Sequence, residues 1–170
     1  MSTPSPYRAL SPERRFALVL YSMRTNRESR DQFVQRLVKR GGGFRASTLK
    51  TWPVDRLARE VVRMRAEDSQ DELDLLQLMY VDLEPAIQST FLDAAGVKHV
   101  NGKMAEELEP PYADAESVKL AASAVREQHA AEGMHYLQTL VRYSRDGWPG
   151  IDTVVADMEV TPPAAPAPQD

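Results

Sequence analysis

Between residues 69 and 83 apolar side chains crowd the chain: Leu73, Leu75, Leu76, Leu78, Met79, Val81 and Leu83 leave hardly any polar face. A helix that is apolar nearly all round belongs inside a fold. This segment therefore predicts the buried centre, with Leu76 and Met79 deep in the core. Ser69 followed three residues on by Glu72 supplies its start, a capping box.

Amphipathic segments precede it. Ser11-Pro12-Glu13 reads as a capping serine with proline in the first turn, opening a helix over Pro12–Arg24. A second helix runs from about Glu28 to Arg40 with Phe33, Val34, Leu37 and Val38 on one face. Gly41-Gly42-Gly43 ends it, because glycine readily takes the left-handed conformation of a helix stop. Pro53 opens a third, where Val54, Leu57, Ala58 and Val61 recur at helical spacing.

Past the central segment, Pro85 marks a kink or a new start, and Ile87, Phe91 and Leu92 continue to a stop at Gly96. Asn101-Gly102 is the favoured two-residue hairpin turn, with flanks so short that at most one tiny β-hairpin is expected near residues 97–104. Asp114 caps the next helix, with Val118, Ala122 and Val125 inward. Gly133 separates it from another, with Leu137, Leu140 and Val141 inward. Gly147-Trp148-Pro149-Gly150 ends that one, and Ile151, Val154, Val155 and Met158 mark a last amphipathic stretch. Trp52-Pro53 and Trp148-Pro149 each place an indole at a helix boundary, where it packs over neighbouring helix ends. Short links between helices predict an all-α fold, a single compact multi-helix bundle or orthogonal helical array.

Composition sets the borders. The chain has 170 residues, 42% of them hydrophobic, enough for a real core. Residues 1–10 read as a flexible arm and 11–158 as one helical domain. Residues 159–170, rich in proline and alanine, read as a disordered or polyproline-like tail. With no cysteine in the chain, disulfides, thiolate catalysis and cysteine-bound metals are excluded, and a reducing compartment fits. Phe16–Tyr21 after Arg14 and Arg15 has the outline of a signal peptide, but it is short and Arg24 and Arg27 follow at once. No apolar stretch approaches the ~20 residues of a membrane span. A cytoplasmic protein without membrane contact is expected.

Histidines are the natural place to look for chemistry. His129 falls on the inward stripe of Val118, Ala122 and Val125, which predicts a core or half-buried histidine bonded to a neighbour. His135 stands away from Leu137, Leu140 and Val141, a solvated position, and His99 lies in the expected hairpin. Glu132-Gly133-Met134-His135 has the Glu-x-x-His spacing of carboxylate-bridged di-metal bundles. Those need two such motifs and two further glutamates, and this chain has one. Glu106, Glu107 and Glu109 before two prolines read as a solvated loop. No phosphate loop, nucleophile elbow or dinucleotide fingerprint is present. The sequence assigns no catalytic residue, no metal ligand and no cofactor.

Charge carries more information. A net of −4 conceals a division: residues 1–65 hold 15 Lys+Arg and 5 Asp+Glu, a net of +10, and residues 66–170 hold 6 and 20, a net of −14. Within the helical domain this makes a basic half at 11–65 and an acidic half at 66–158. Arg56, Arg59 and Arg63 project from one face of the third helix, and Arg36, Lys39 and Arg40 cluster at the end of the second. These six are the candidate binding residues, for an acidic partner or for nucleic acid. Plainer roles compete. Cations in a last helical turn complement the helix dipole, and Asp55 with Arg59 and Arg56 with Glu60 have the spacing of i,i+4 pairs. The basic half can also pack against the acidic half, in the same chain or in a second copy.

The leading expectation is a non-enzymatic helical interaction, adaptor or assembly protein that binds a protein partner or itself. The alternative is a nucleic-acid-associated protein using the basic N-terminal helices. A third is a helical-bundle enzyme with a metal or small ligand.

Overall fold

A computed structural model describes residues 5–40, 43–64 and 69–160. Of these, 75% are helical, in nine helices, with one two-stranded antiparallel sheet. The all-α expectation holds. The chain forms two compact units, Met1–Asp82 and Leu83–Asp170. Their boundary falls within the long apolar segment and does not coincide with the charge division at residues 65 and 66.

In the N-terminal unit, Ser11 Oγ accepts the backbone N–H of Arg14 at 3.2 Å and caps α2 (Pro12–Thr25), as its sequence predicts. Glu13 in that first turn is held below the usual carboxylate range by its own backbone N–H and by the Ser11 hydroxyl. Asn26 Oδ1 accepts the N–H groups of Glu28 and Ser29 and caps α3 (Arg27–Lys39). A short helix that periodicity does not reveal, α4 (Ala46–Lys50), precedes α5 (Val54–Arg63). Pro53 stands immediately ahead of α5, where its fixed φ suits a helix entry. Helix α2 packs on α3, α5 and α6 (Ser69–Leu78), and α3 also on α4 and α5. Leu18, Val19, Val34, Leu49, Leu57, Ala58 and Leu76 form the dry centre.

Two expectations change here. The arm at residues 1–10 is tied down at its end: α1 (Pro6–Ala9) is a helical turn capped by Ser5, packed on α6, with Tyr7 and Leu10 buried. The segment after Ser69 is not one uniform buried helix. α6 gives way to a π-helical turn at Met79–Leu83; Leu75, Leu76, Met79 and Tyr80 are buried while Leu83 is 41% exposed. The side chain of Ser69, half of the expected capping box, lies outside the described residues, as do Gly41, Gly42 and the tail from 161.

In the C-terminal unit α7 (Pro85–Ala94) starts at the proline and stops at Gly96, whose φ of +71° closes the helix. β1 (His99–Val100) pairs with β2 (Lys103–Met104) in the register His99↔Met104 and Val100↔Lys103. Asn101 and Gly102 have φ of 51° and 80°, both positive as a type I′ turn requires. Asp114 accepts the Ser117 N–H at 2.8 Å, and this bond holds its carboxyl below the usual range at the head of α8 (Ala115–Tyr143). Helix α8 packs on α7 and on α9 (Ile151–Val160). Phe91 stands edge-on to Trp148 at 4.8 Å and to Tyr136 at 5.7 Å between ring centroids.

The break in α8 falls at Ala130, not at Gly133. Ala130 has φ 46° and ψ −121°, and helical geometry resumes beyond it. Gly133 is required for a different reason: a Cβ there would lie 2.6 Å from the carbonyl oxygen of Val125. At this bend the two limbs of α8 come so close that only a hydrogen fits at Gly133.

Candidate functional site

All six candidate residues lie on α3, at its C-cap, or on α5, in the N-terminal unit, and the structure gives them different surroundings. Arg36 forms an ion pair with Asp71 of α6, and its guanidinium also lies 5.8 Å from the Phe33 ring centroid. Lys39 and Arg40 are exposed at the end of α3, with no ion pair among the described residues. On α5, Arg59 pairs with Asp55 at 3.5 Å, the i,i+4 pair its spacing predicts. Arg56 does not pair with Glu60. Glu60 takes Arg63 at 2.9 Å instead, and Arg56 lies over the indole of Trp52 at 3.7 Å. An acid C-terminal to its base is the weaker order at i,i+4, and the face of a tryptophan offers a guanidinium the better alternative.

Around Trp52 a small cluster forms that periodicity does not disclose. Phe44 stands edge-on to the indole at 5.1 Å, and Arg30 donates to the Trp52 carbonyl oxygen at 3.4 Å. Trp52, half-buried, closes the start of α5 over its neighbours, as Trp148 does in the other unit. The i,i+4 spacing of Trp52 and Arg56 is the one trace of this contact in the sequence.

Acidic residues of α6 reach the basic helices at two points. One is Arg36–Asp71. The other is Arg8 with Glu72 at 3.1 Å, where the carboxylate is almost completely buried. Tyr7 lies beside this pair, and burial pushes its hydroxyl up to about 12, with Arg15 opposing and Glu72 adding to the rise. A groove of about 350 Å³ runs between the α2–α3 junction and α6. Asn26, Gln32, Arg36, Asp71, Asp74 and Gln77 are among its lining residues.

His129 and His99 make hydrogen bonds to neighbouring elements. His129 Nε2 lies 2.9 Å from Thr90 Oγ1, a half-buried position as its place on the stripe predicts. His99 Nδ1 accepts the Gly102 N–H at 3.0 Å, which leaves Nε2 to donate to Asp93 at 2.9 Å. His135 is half-buried, less open than expected. Among the described residues no group of three or more His, Asp or Glu side chains is arranged to hold a metal ion. No described helix is long and apolar enough to cross a membrane. Comparison with known proteins finds no match among family models, curated proteins or solved structures.

Proposed function

We propose that this chain is a helical interaction protein, an adaptor or assembly component that docks a protein partner or a second copy of itself. The observation that carries the proposal is the pairing of three of the six candidate basic residues with carboxylates of their own unit. Arg36 is matched by Asp71, Arg59 by Asp55 and Arg63 by Glu60. A surface evolved to hold a polyanion keeps its guanidinium groups available for phosphates; here carboxylates already occupy three of the six. The Trp52–Arg56–Phe44 cluster adds to the case, because tryptophan and arginine are the residues on which protein interfaces most often depend.

The alternative, a nucleic-acid-associated protein, draws on Lys39 and Arg40, exposed and outside any ion pair among the described residues. Light scattering of the purified chain, beside the Trp52→Ala and Arg56→Glu variants, tests the leading proposal. Self-association, or binding to an identified protein partner, that both variants weaken supports it. Undiminished binding in both variants removes this cluster from the interface.

A further inference from the structure

We infer that the C-terminal unit can exchange the part beyond Ala130 with a second copy of the chain by straightening α8 into one continuous helix. The inference gives a definite form to the self-association proposed above and rests on that reading for its use, although its geometry is independent of the basic helices.

Three observations converge on Ala130. Its φ of 46° with ψ of −121° is a conformation that a residue with a Cβ adopts only under strain. Its neighbours, Gln128 to Glu132, contain neither proline nor glycine, and alanine is the best helix former, so the local sequence favours a helix running through the break. Gly133, just beyond, is needed only in the folded-back form: there a Cβ would lie 2.6 Å from the Val125 carbonyl oxygen, whereas a straight helix accepts any ordinary residue at that position. The folded-back form is thus held by tertiary packing against local preference.

Straightening relieves the strain at Ala130 and carries the second limb of α8, with α9, away from the first limb. Every contact so lost can re-form with a second copy, because the exchanged element is identical in both. The edge-to-face contact of Phe91 with Tyr136, at 5.7 Å, would then be made between chains. Such exchange is a low-cost route to a symmetric dimer when a hinge is strained.

The test refolds the chain at high concentration and follows the dimer by size exclusion with light scattering. Wild type should give a dimer that exchanges subunits slowly with a differently tagged population, since exchange requires local unfolding. Ala130→Gly removes the strain of the folded-back form and places a poor helix former in the straight one. It should lower the dimerisation constant by about tenfold or more. Gly133→Ala should raise the dimer fraction. If that variant does not fold, wild type against Ala130→Gly decides. A chain that refolds only to monomer overturns the inference. So does a dimer in rapid exchange, or one that Ala130→Gly leaves unchanged. Loss of the exchange without loss of the Trp52- and Arg56-dependent association overturns the inference alone; the reverse result overturns the reading of the basic face.

Discussion

Arg36 of α3 and Asp71 of α6 form an ion pair that joins the basic stretch of the chain to its acidic stretch within one unit. The Asp71 side chain is 15% exposed and that of Arg36 33%, so water screens the pair only in part. A double-mutant cycle with Arg36→Ala and Asp71→Ala should return a coupling of about 1 kcal/mol, within the usual range for neighbours. Independent effects of the two substitutions would show that the pair contributes nothing.

The apolar segment predicts a second outcome. Leu76 is fully buried on α6, whereas Leu83, on the π-helical turn, is 41% exposed. Leu76→Ala should cost about 2–5 kcal/mol through lost burial and a residual cavity. Leu83→Ala should stay within about 0.5 kcal/mol. Denaturant unfolding of both variants checks the contrast, and equal costs would contradict the division of the segment.

That contrast shows what the sequence could convey. Periodicity locates α2, α3, α5 and α7, because each writes its own burial into its own residues, and the Asn101-Gly102 turn locates the hairpin. Periodicity marks Leu76 and Met79 as core, but it cannot place the turn to π geometry that swings Leu83 outward. Sequence alone points to Gly133 as the break in α8, because glycine is the usual breaker. The fold instead places its strain at Ala130 and uses Gly133 for clearance against Val125. Position along the chain cannot distinguish these two uses of a glycine. The candidate basic residues were legible as a cluster. Their neutralisation was less so, since Arg36 and Asp71 lie 35 residues apart and only the fold brings them together.

Alkaline pH supplies a third outcome. Tyr7 is buried and its hydroxyl titrates at about 12 rather than 10. A group whose pKa is raised on folding contributes stability that is intact below the unfolded value and is lost as pH climbs to the folded one. From pH 9 to 12 the wild type should therefore lose about 2–3 kcal/mol relative to Tyr7→Phe, most of it above pH 10. Urea unfolding of the two proteins across that range measures it. A difference independent of pH would place the phenol in water.

The two indoles should be distinguishable. Trp148 is 2% exposed between Phe91 and Tyr112, and Trp52 is half-buried beneath Arg56. Trp52→Phe should leave a blue-shifted emission from Trp148, and Trp148→Phe a redder one from Trp52. Arg56→Ala should alter the Trp52 signal and cost about 0.5–1 kcal/mol, the worth of an exposed cation–π contact. An emission maximum typical of free indole from either residue would contradict its packing.

The last outcome decides between the two readings of the basic face. If α3 and α5 hold nucleic acid, each phosphate engaged releases condensed counterions and affinity falls steeply with salt. Engagement of about four to six phosphates gives a slope of roughly −4 to −5 in log affinity against log salt for duplex DNA. Reversal of Arg56, Arg59 and Arg63 to glutamate would then abolish binding. The ion pairs argue for the other result. Arg59 and Arg63 are already matched by Asp55 and Glu60, and Asp71 and Asp74 line the groove beside Arg36. A polyanion approaching Arg36 meets those carboxylates well inside the screening length of ~10 Å at 0.1 M salt. Anisotropy titrations with duplex and single-stranded DNA should therefore show no salt-sensitive binding, and the triple reversal should weaken folding or self-association instead. Tight binding with the steep salt slope, lost on reversal, would transfer the basic face to nucleic acid.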